Sequence, residues 1–142
     1  MRLSPFLLLL FLLLSCAPPC DQAMLPALQQ YSFMGTKNYS LKDVGEHTEL
    51  NVVIRSQGED DKYVVTAADT IRPGIDFSKR MLLIGWTTRG TPDTMKAASI
   101  IPECPGYTLN VETVKGNLGV VSKVYYAVVC DRSDKGVKVV IH

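Results

Sequence analysis

The chain has 142 residues, 15 basic and 14 acidic side chains, a net charge of +1, and a composition that is 46% hydrophobic. So even a balance supplies no basic stripe for nucleic acid and no polybasic patch for an anionic membrane. His47 and His142 are the only histidines and no two cysteines form a C-x-x-C pair, which argues against a zinc site.

Residues 6–14 are an unbroken run of nine Phe and Leu behind a single Arg2. As a helix such a run covers roughly 14 Å, short of the about 20 residues that a bilayer crossing needs, so it reads as a signal-peptide core. Two cuts compete. Ser15-Cys16-Ala17 offers the small residues of an ordinary secretory site, but Pro18 would then follow the cut. Leu13-Leu14-Ser15-Cys16 resembles a bacterial lipobox. That resemblance implies cleavage before Cys16 and a thioether-linked diacylglycerol on its sulfur, usually with a further acyl chain (palmitate or a similar fatty acid) on its amine. One chain holds a protein to a membrane only marginally, whereas two or three anchor it stably.

The expected organisation is a signal peptide over 1–15, an acylated cysteine and flexible stalk over 16–30, and one β-rich domain over 31–142. Pro18, Pro19 and Pro26 suit an extended stalk, with at most a turn or two of helix over 24–30. The lipobox resemblance further implies, from Ala17 after the acylated position, the outer membrane of a two-membrane cell. Exported proteins keep disulfides. With Cys16 acylated, Cys104 and Cys130 are the expected pair, which would stabilise by roughly 3 kcal/mol; two buried thiols are the alternative, and the role of Cys20 stays open.

Residues 31–45 suggest either an edge strand or a short helix. Residues 49–55 are β-branched, 56–61 read as a turn and 62–67 resume, which predicts a hairpin. Residues 81–86 form a continuous apolar run, expected for a strand covered on both faces. After the loop at 89–93, a short strand is predicted over 97–101. Residues 107–114 alternate strictly, which places Thr108, Asn110 and Glu112 toward water. Residues 120–130 and 137–141 complete six or seven strands: an all-β class, as a small antiparallel sandwich or barrel.

The chemistry-bearing residues give no constellation. His47 sits in a polar stretch, no serine lies in G-x-S-x-G, no base flanks Cys104 or Cys130, and Glu59-Asp60-Asp61 lacks the alternating spacing of a calcium loop. The expectation is a non-enzyme with no catalytic residue, no metal and no cofactor. For binding, Trp86 at a strand end and the neighbouring Thr88, Arg89 and Asp93 are the candidates, because Trp and Arg carry much of the energy at interfaces. A core role for Trp86 is the competing reading.

Asp76-Phe77-Ser78-Lys79, the run 81–86, and Pro105-Gly106-Tyr107 opening an alternating strand form a layout that resembles the PrcB C-terminal domain. It also resembles small uncharacterised lipoproteins of the Bacteroidetes. The interval between Trp86 and Gly106 is longer than in the PrcB-like layout, and Pro105 stands where that layout has a glycine. The resemblance implies a protease partner and transfers no catalytic residue. The chain therefore reads as a lipid-anchored binding or accessory module of the cell envelope, with a protease regulator or inhibitor and a structural envelope protein as alternatives. Its partners would be the membrane, through the lipid, and an envelope protein.

Overall fold

A computed structural model of the protein describes residues 27–31, 39–42, 48–66 and 74–142. The expected signal peptide, Cys16, Cys20, His47 and most of the expected stalk lie outside the described residues.

The domain is an all-β sandwich. Among the described residues its strands are β1 (Ala27–Tyr31), β2 (Tyr39–Leu41), β3 (Glu49–Ile54), β4 (Val64–Thr66), β5 (Arg80–Arg89), β6 (Thr94–Glu103), β7 (Gly106–Val114), β8 (Ser122–Asp131) and β9 (Val137–Ile141), with the helix α1 (Gln57–Tyr63). A four-stranded antiparallel sheet in the order β1-β8-β5-β3 faces a three-stranded sheet in the order β6-β7-β9. The seven strands of these two sheets match the expected six or seven, and β2 and β4 form a further two-stranded sheet. One pair departs from the antiparallel expectation, since β9 runs parallel to β7.

The continuous apolar run of β5 has its predicted cause. Met81 and Leu83 point inward with Val128 and Cys130 of β8 and meet Ile100, Tyr107, Leu109 and Val111 of the opposite sheet. Leu82, Ile84 and Trp86 point outward and are covered by Leu41, Val64, Tyr63 and Phe77. With both faces buried, no position along residues 81–86 is left for a polar side chain.

The hairpin expected from 49–67 does not form. β3 pairs with β5, β4 pairs with β2, and the segment between them is α1. Ser56 caps the helix: its hydroxyl accepts the Glu59 N–H at 3.2 Å, and the Glu59 carboxylate accepts the Arg55 N–H at 2.6 Å. Ser56-Gln57-Gly58-Glu59 is thus a capping-box sequence that turn composition concealed. The last residues assigned to the stalk belong to the fold as well: Ala27–Tyr31 is a strand paired with β8, not a helix or a free tether. Thr108 also departs from expectation. It is buried, because β7 is the middle strand of its sheet and the Thr108 hydroxyl donates to the Glu103 carboxylate; Asn110 is half-buried and Glu112 exposed.

Within the sandwich one row fixes the register. Asn51, Gly85 and Tyr126 lie side by side across β3, β5 and β8. The Tyr126 ring lies over Gly85 and its hydroxyl donates to Asn51 Oδ1 at 2.7 Å. A Cβ on residue 85 would sit 2.1 Å from the Leu50 carbonyl oxygen and 2.4 Å from the Tyr126 hydroxyl, so only glycine fits.

Candidate functional site

The sandwich has two unlike ends. At one, which we call the entry end, β1 begins with Ala27 beside Cys130. The loops here are braced by arginines. Arg55 donates from Nε to the Ser133 carbonyl and from Nη2 to the Lys135 carbonyl, both at 2.8 Å. Arg132 Nη1 donates to the carbonyls of Arg55 at 3.0 Å and Phe77 at 2.6 Å. The Asp76-Phe77-Ser78-Lys79 segment is a tight turn ahead of β5: the Asp76 carboxylate accepts the Ser78 N–H and hydroxyl, its carbonyl accepts the N–H groups of Lys79 and Arg80, and Phe77 packs on the outer core. The Ser78 hydrogen bonds hold the Asp76 carboxyl below its usual pKa, with Lys79 and Arg80 adding to the effect. An open cleft of about 410 Å³ lies between Glu103, Pro105, Tyr107, Thr108 and Lys138.

Cys130 is buried at this end and carries a free thiol. The disulfide expected between Cys104 and Cys130 is therefore absent. Cys130 belongs to the inner core against Met81, whereas Cys104 lies exposed on the turn between β6 and β7. Burial, reinforced by Asp131 and opposed by Arg55, pushes the Cys130 thiol up to about 12, so it stays protonated and unreactive at neutral pH.

The far end gathers the loop predicted to bind. Its residues 90–93 are locked to the β7–β8 connection, residues 115–121. Asp93 accepts from the Thr91 hydroxyl and from the Gly116 N–H at 3.2 Å, and the Ser122 hydroxyl donates to the Thr91 carbonyl at 2.9 Å. Gly116 presses on Pro92 so closely that a Cβ would stand 2.6 Å from the Pro92 carbonyl oxygen. The Thr91 hydrogen bond, with the Gly116 N–H, Arg89 and Lys115 adding to it, holds the Asp93 carboxyl below its usual pKa against the opposing effect of desolvation.

On this pinned frame the aliphatic side chains point out. Leu118 is 66%, Val120 57% and Val121 73% exposed, with Val114 at 51% beside them. Lys115 and Lys123 flank the knuckle; the Lys123 ammonium lies 4.1 Å from the centre of the Trp86 ring.

The four predicted contact residues separate by role. Trp86 is 3% exposed and belongs to the outer core, so its ring is packed and not presented. Thr88 is exposed on β5 at this end. Arg89 is a clasp between sheets, donating from Nη2 to the Ile141 carbonyl of β9 at 2.6 Å, above a cleft of about 270 Å³ that Glu49, Asn51 and Thr87 share. Asp93 fastens the two loops together. Sequence reasoning missed Leu118, Val120 and Val121, because Val120 and Val121 read as the start of a strand that begins only at Ser122.

Among the described residues no group of three or more His, Cys, Asp or Glu could hold a metal ion, and no helix is long and apolar enough to cross a membrane. No family model, curated protein or solved structure matches the chain.

Proposed function

We propose that the protein is a lipid-anchored, non-enzymatic binding or accessory module of the bacterial cell envelope. Cys16 carries the lipid, and the far-end knuckle of Leu118, Val120 and Val121 meets a protein partner. One observation carries the reading: three large aliphatic side chains are held in water on a loop that hydrogen bonds have already ordered. Full burial of each against a partner is worth roughly 1.5–3 kcal/mol, and the ordering cost of the loop has been met in the fold. Apolar side chains grouped at a protein surface with a polar rim mark interaction sites.

A photo-crosslinking amino acid placed at Val121 in the native membrane tests this. A discrete adduct from position 121, absent when the same group replaces Lys138 at the other end, is the expected result. Equal labelling from both positions, or none from 121, overturns the reading.

A protease regulator of the PrcB-like kind is the second reading. It is supported by the joining of residues 90–93 and 115–121 into one ordered loop unit. Host envelope proteases whose rates are unchanged by micromolar protein refute it.

A further inference from the structure

Along one side of the sandwich β1 packs against β6. On the opposite side the outermost strands are β3 and β9, and the cleft of about 270 Å³ opens between them. Glu49 and Asn51 of β3, Thr87 and Arg89 of β5, and Val139 and Ile141 of β9 line it. We propose that this cleft takes an extended peptide of a partner protein, which adds as a strand to the free edge of β9 and sets a carboxylate against Arg89.

The backbone shows which groups are unspent. The Tyr107 N–H donates to the Gly136 carbonyl, the His142 N–H to the Val111 carbonyl and the Thr113 N–H to the His142 carbonyl. Even-numbered residues of β9 therefore bond β7, and alternation turns the N–H and C=O groups of Val137, Val139 and Ile141 the other way. The Ile141 carbonyl, taken by Arg89 Nη2 at 2.6 Å, agrees with that direction. The Val139 N–H and C=O and the Ile141 N–H have no partner among the described residues. On β3 the Thr48 carbonyl accepts the Thr88 N–H, and the same alternation leaves the backbone groups of Glu49, Asn51 and Val53 outward. The edge of β6 is different. Its register shifts between Met95 and Ala97, and Pro102 has no N–H, two devices that blunt a strand edge. β9 pairs without a shift and holds no proline.

Space and charge select the occupant. Stacked sheets lie about 10 Å apart and paired strands about 4.8 Å, so one strand fits between the edges of β3 and β9. The cleft is smaller than the about 300–1,000 Å³ of small-molecule pockets, and two of its walls are strand edges, which favours a polypeptide over a compact ligand. Arg89 sets the charge. Its Nη2 is spent on Ile141, while its Nε is buried with no hydrogen-bond partner. An acidic side chain on the peptide supplies the carboxylate that a guanidinium fork fits. Asn51 Oδ1 accepts from Tyr126, which leaves its amide N–H groups for a peptide carbonyl. Glu49, exposed at the rim, suits a basic residue of the same peptide.

The test pans a phage-displayed library of random heptapeptides against the purified protein, then follows amide exchange of the protein with each enriched peptide bound. The expected result is sequences with Asp or Glu inside a β-branched run, which slow exchange at Val139 and Ile141. Arg89→Gln should weaken binding about tenfold or more. Val139→Pro should abolish it, because it removes an edge N–H that β7 does not use. Unchanged exchange at Leu109 and Val111 shows that each variant keeps its fold. Leu118→Ser with Val121→Ser should leave peptide affinity unchanged, so this inference and the knuckle reading fail separately. A library that yields no binder, a binder that protects residues 115–121 instead, or one that binds Arg89→Gln as tightly as wild type overturns the inference. Protection of Val139 and Ile141 that rises with protein concentration, with no peptide added, shows pairing with a second copy and overturns the partner peptide.

Discussion

Gly85→Ala is the sharpest probe of how the sandwich is registered. A methyl at this position would stand 2.1 Å from the Leu50 carbonyl oxygen, 2.4 Å from the Tyr126 hydroxyl and 2.7 Å from Tyr126 Cζ. The first neighbour is backbone of the paired strand β3 and cannot rotate away, so β3 must shift or the ring must leave. Overpacking of this kind costs about 1–3 kcal/mol. Moving the ring also breaks the hydrogen bond to Asn51, worth about 1 kcal/mol net. Alanine recovers about 0.4–1 kcal/mol by restricting the unfolded chain, so the net loss is about 2–3 kcal/mol. For a domain of this size that is a fall in Tm of roughly 8–20 °C. Tyr126→Phe removes only the hydroxyl and should cost about 1 kcal/mol, because the exposed Asn51 can turn to water. Urea unfolding of both single variants and the double variant closes the cycle. If alanine acts by evicting the ring, Tyr126→Phe costs almost nothing in the Gly85→Ala background. A Gly85→Ala protein within about 0.5 kcal/mol of wild type, or a Tyr126→Phe cost that is the same in both backgrounds, refutes the reasoning.

Ser56→Ala should cost about 1 kcal/mol and speed amide exchange across Gln57–Tyr63 while leaving β5 and β8 protected; uniform loss of protection would refute a local capping role. Cys130 sets an alkaline limit. Its folded pKa is raised above the unfolded value near 9, so its contribution is fully present below pH 9 and is lost as pH rises toward 12, at up to about 1.4 kcal/mol per pH unit; Tyr126, raised by burial and by Glu49, acts in the same direction. Urea midpoints at pH 8, 9.5 and 10.5 should fall less steeply for Cys130→Ala than for wild type, and parallel slopes would sink the assignment. Leu118→Ser with Val121→Ser should leave stability within about 0.5 kcal/mol, because neither side chain is buried, while abolishing crosslinking from the far end; a large drop in Tm would show that these side chains are core.

Strand existence was legible wherever composition and burial agree. The run 81–86 announced a strand covered on both faces, and the alternation of 107–114 put Tyr107, Leu109 and Val111 in the core. What failed had a second explanation in the same letters. Residues 56–61 have the polar, glycine-containing composition of a turn, and only the Ser56–Glu59 spacing separates that from a short capped helix. Cys104 and Cys130 are close enough in sequence for a loop closure, but pairing depends on which face each strand turns inward. β8 turns Cys130 into the core beside Met81, where no partner sulfur comes. Thr108 was assigned to water from its period, yet it is buried with its hydroxyl on the Glu103 carboxylate, while Glu112 on the same face of β7 stays exposed. The parallel docking of β9 on β7 had no signal at all, since parallel and antiparallel edge strands share one alternation.

The contrast between the two ends argues that the exposed knuckle is not a by-product of folding. At the entry end, Arg55 and Arg132 satisfy loop carbonyls directly. At the far end the same job of fixing loops falls to Asp93 and to the close contact of Gly116 with Pro92, neither of which needs Leu118, Val120 or Val121. Polar residues at those three positions would leave every bond of the frame in place and cost no burial. Aliphatic ones expose apolar surface to water with little burial in the isolated fold, which is the observation behind the proposed partner contact.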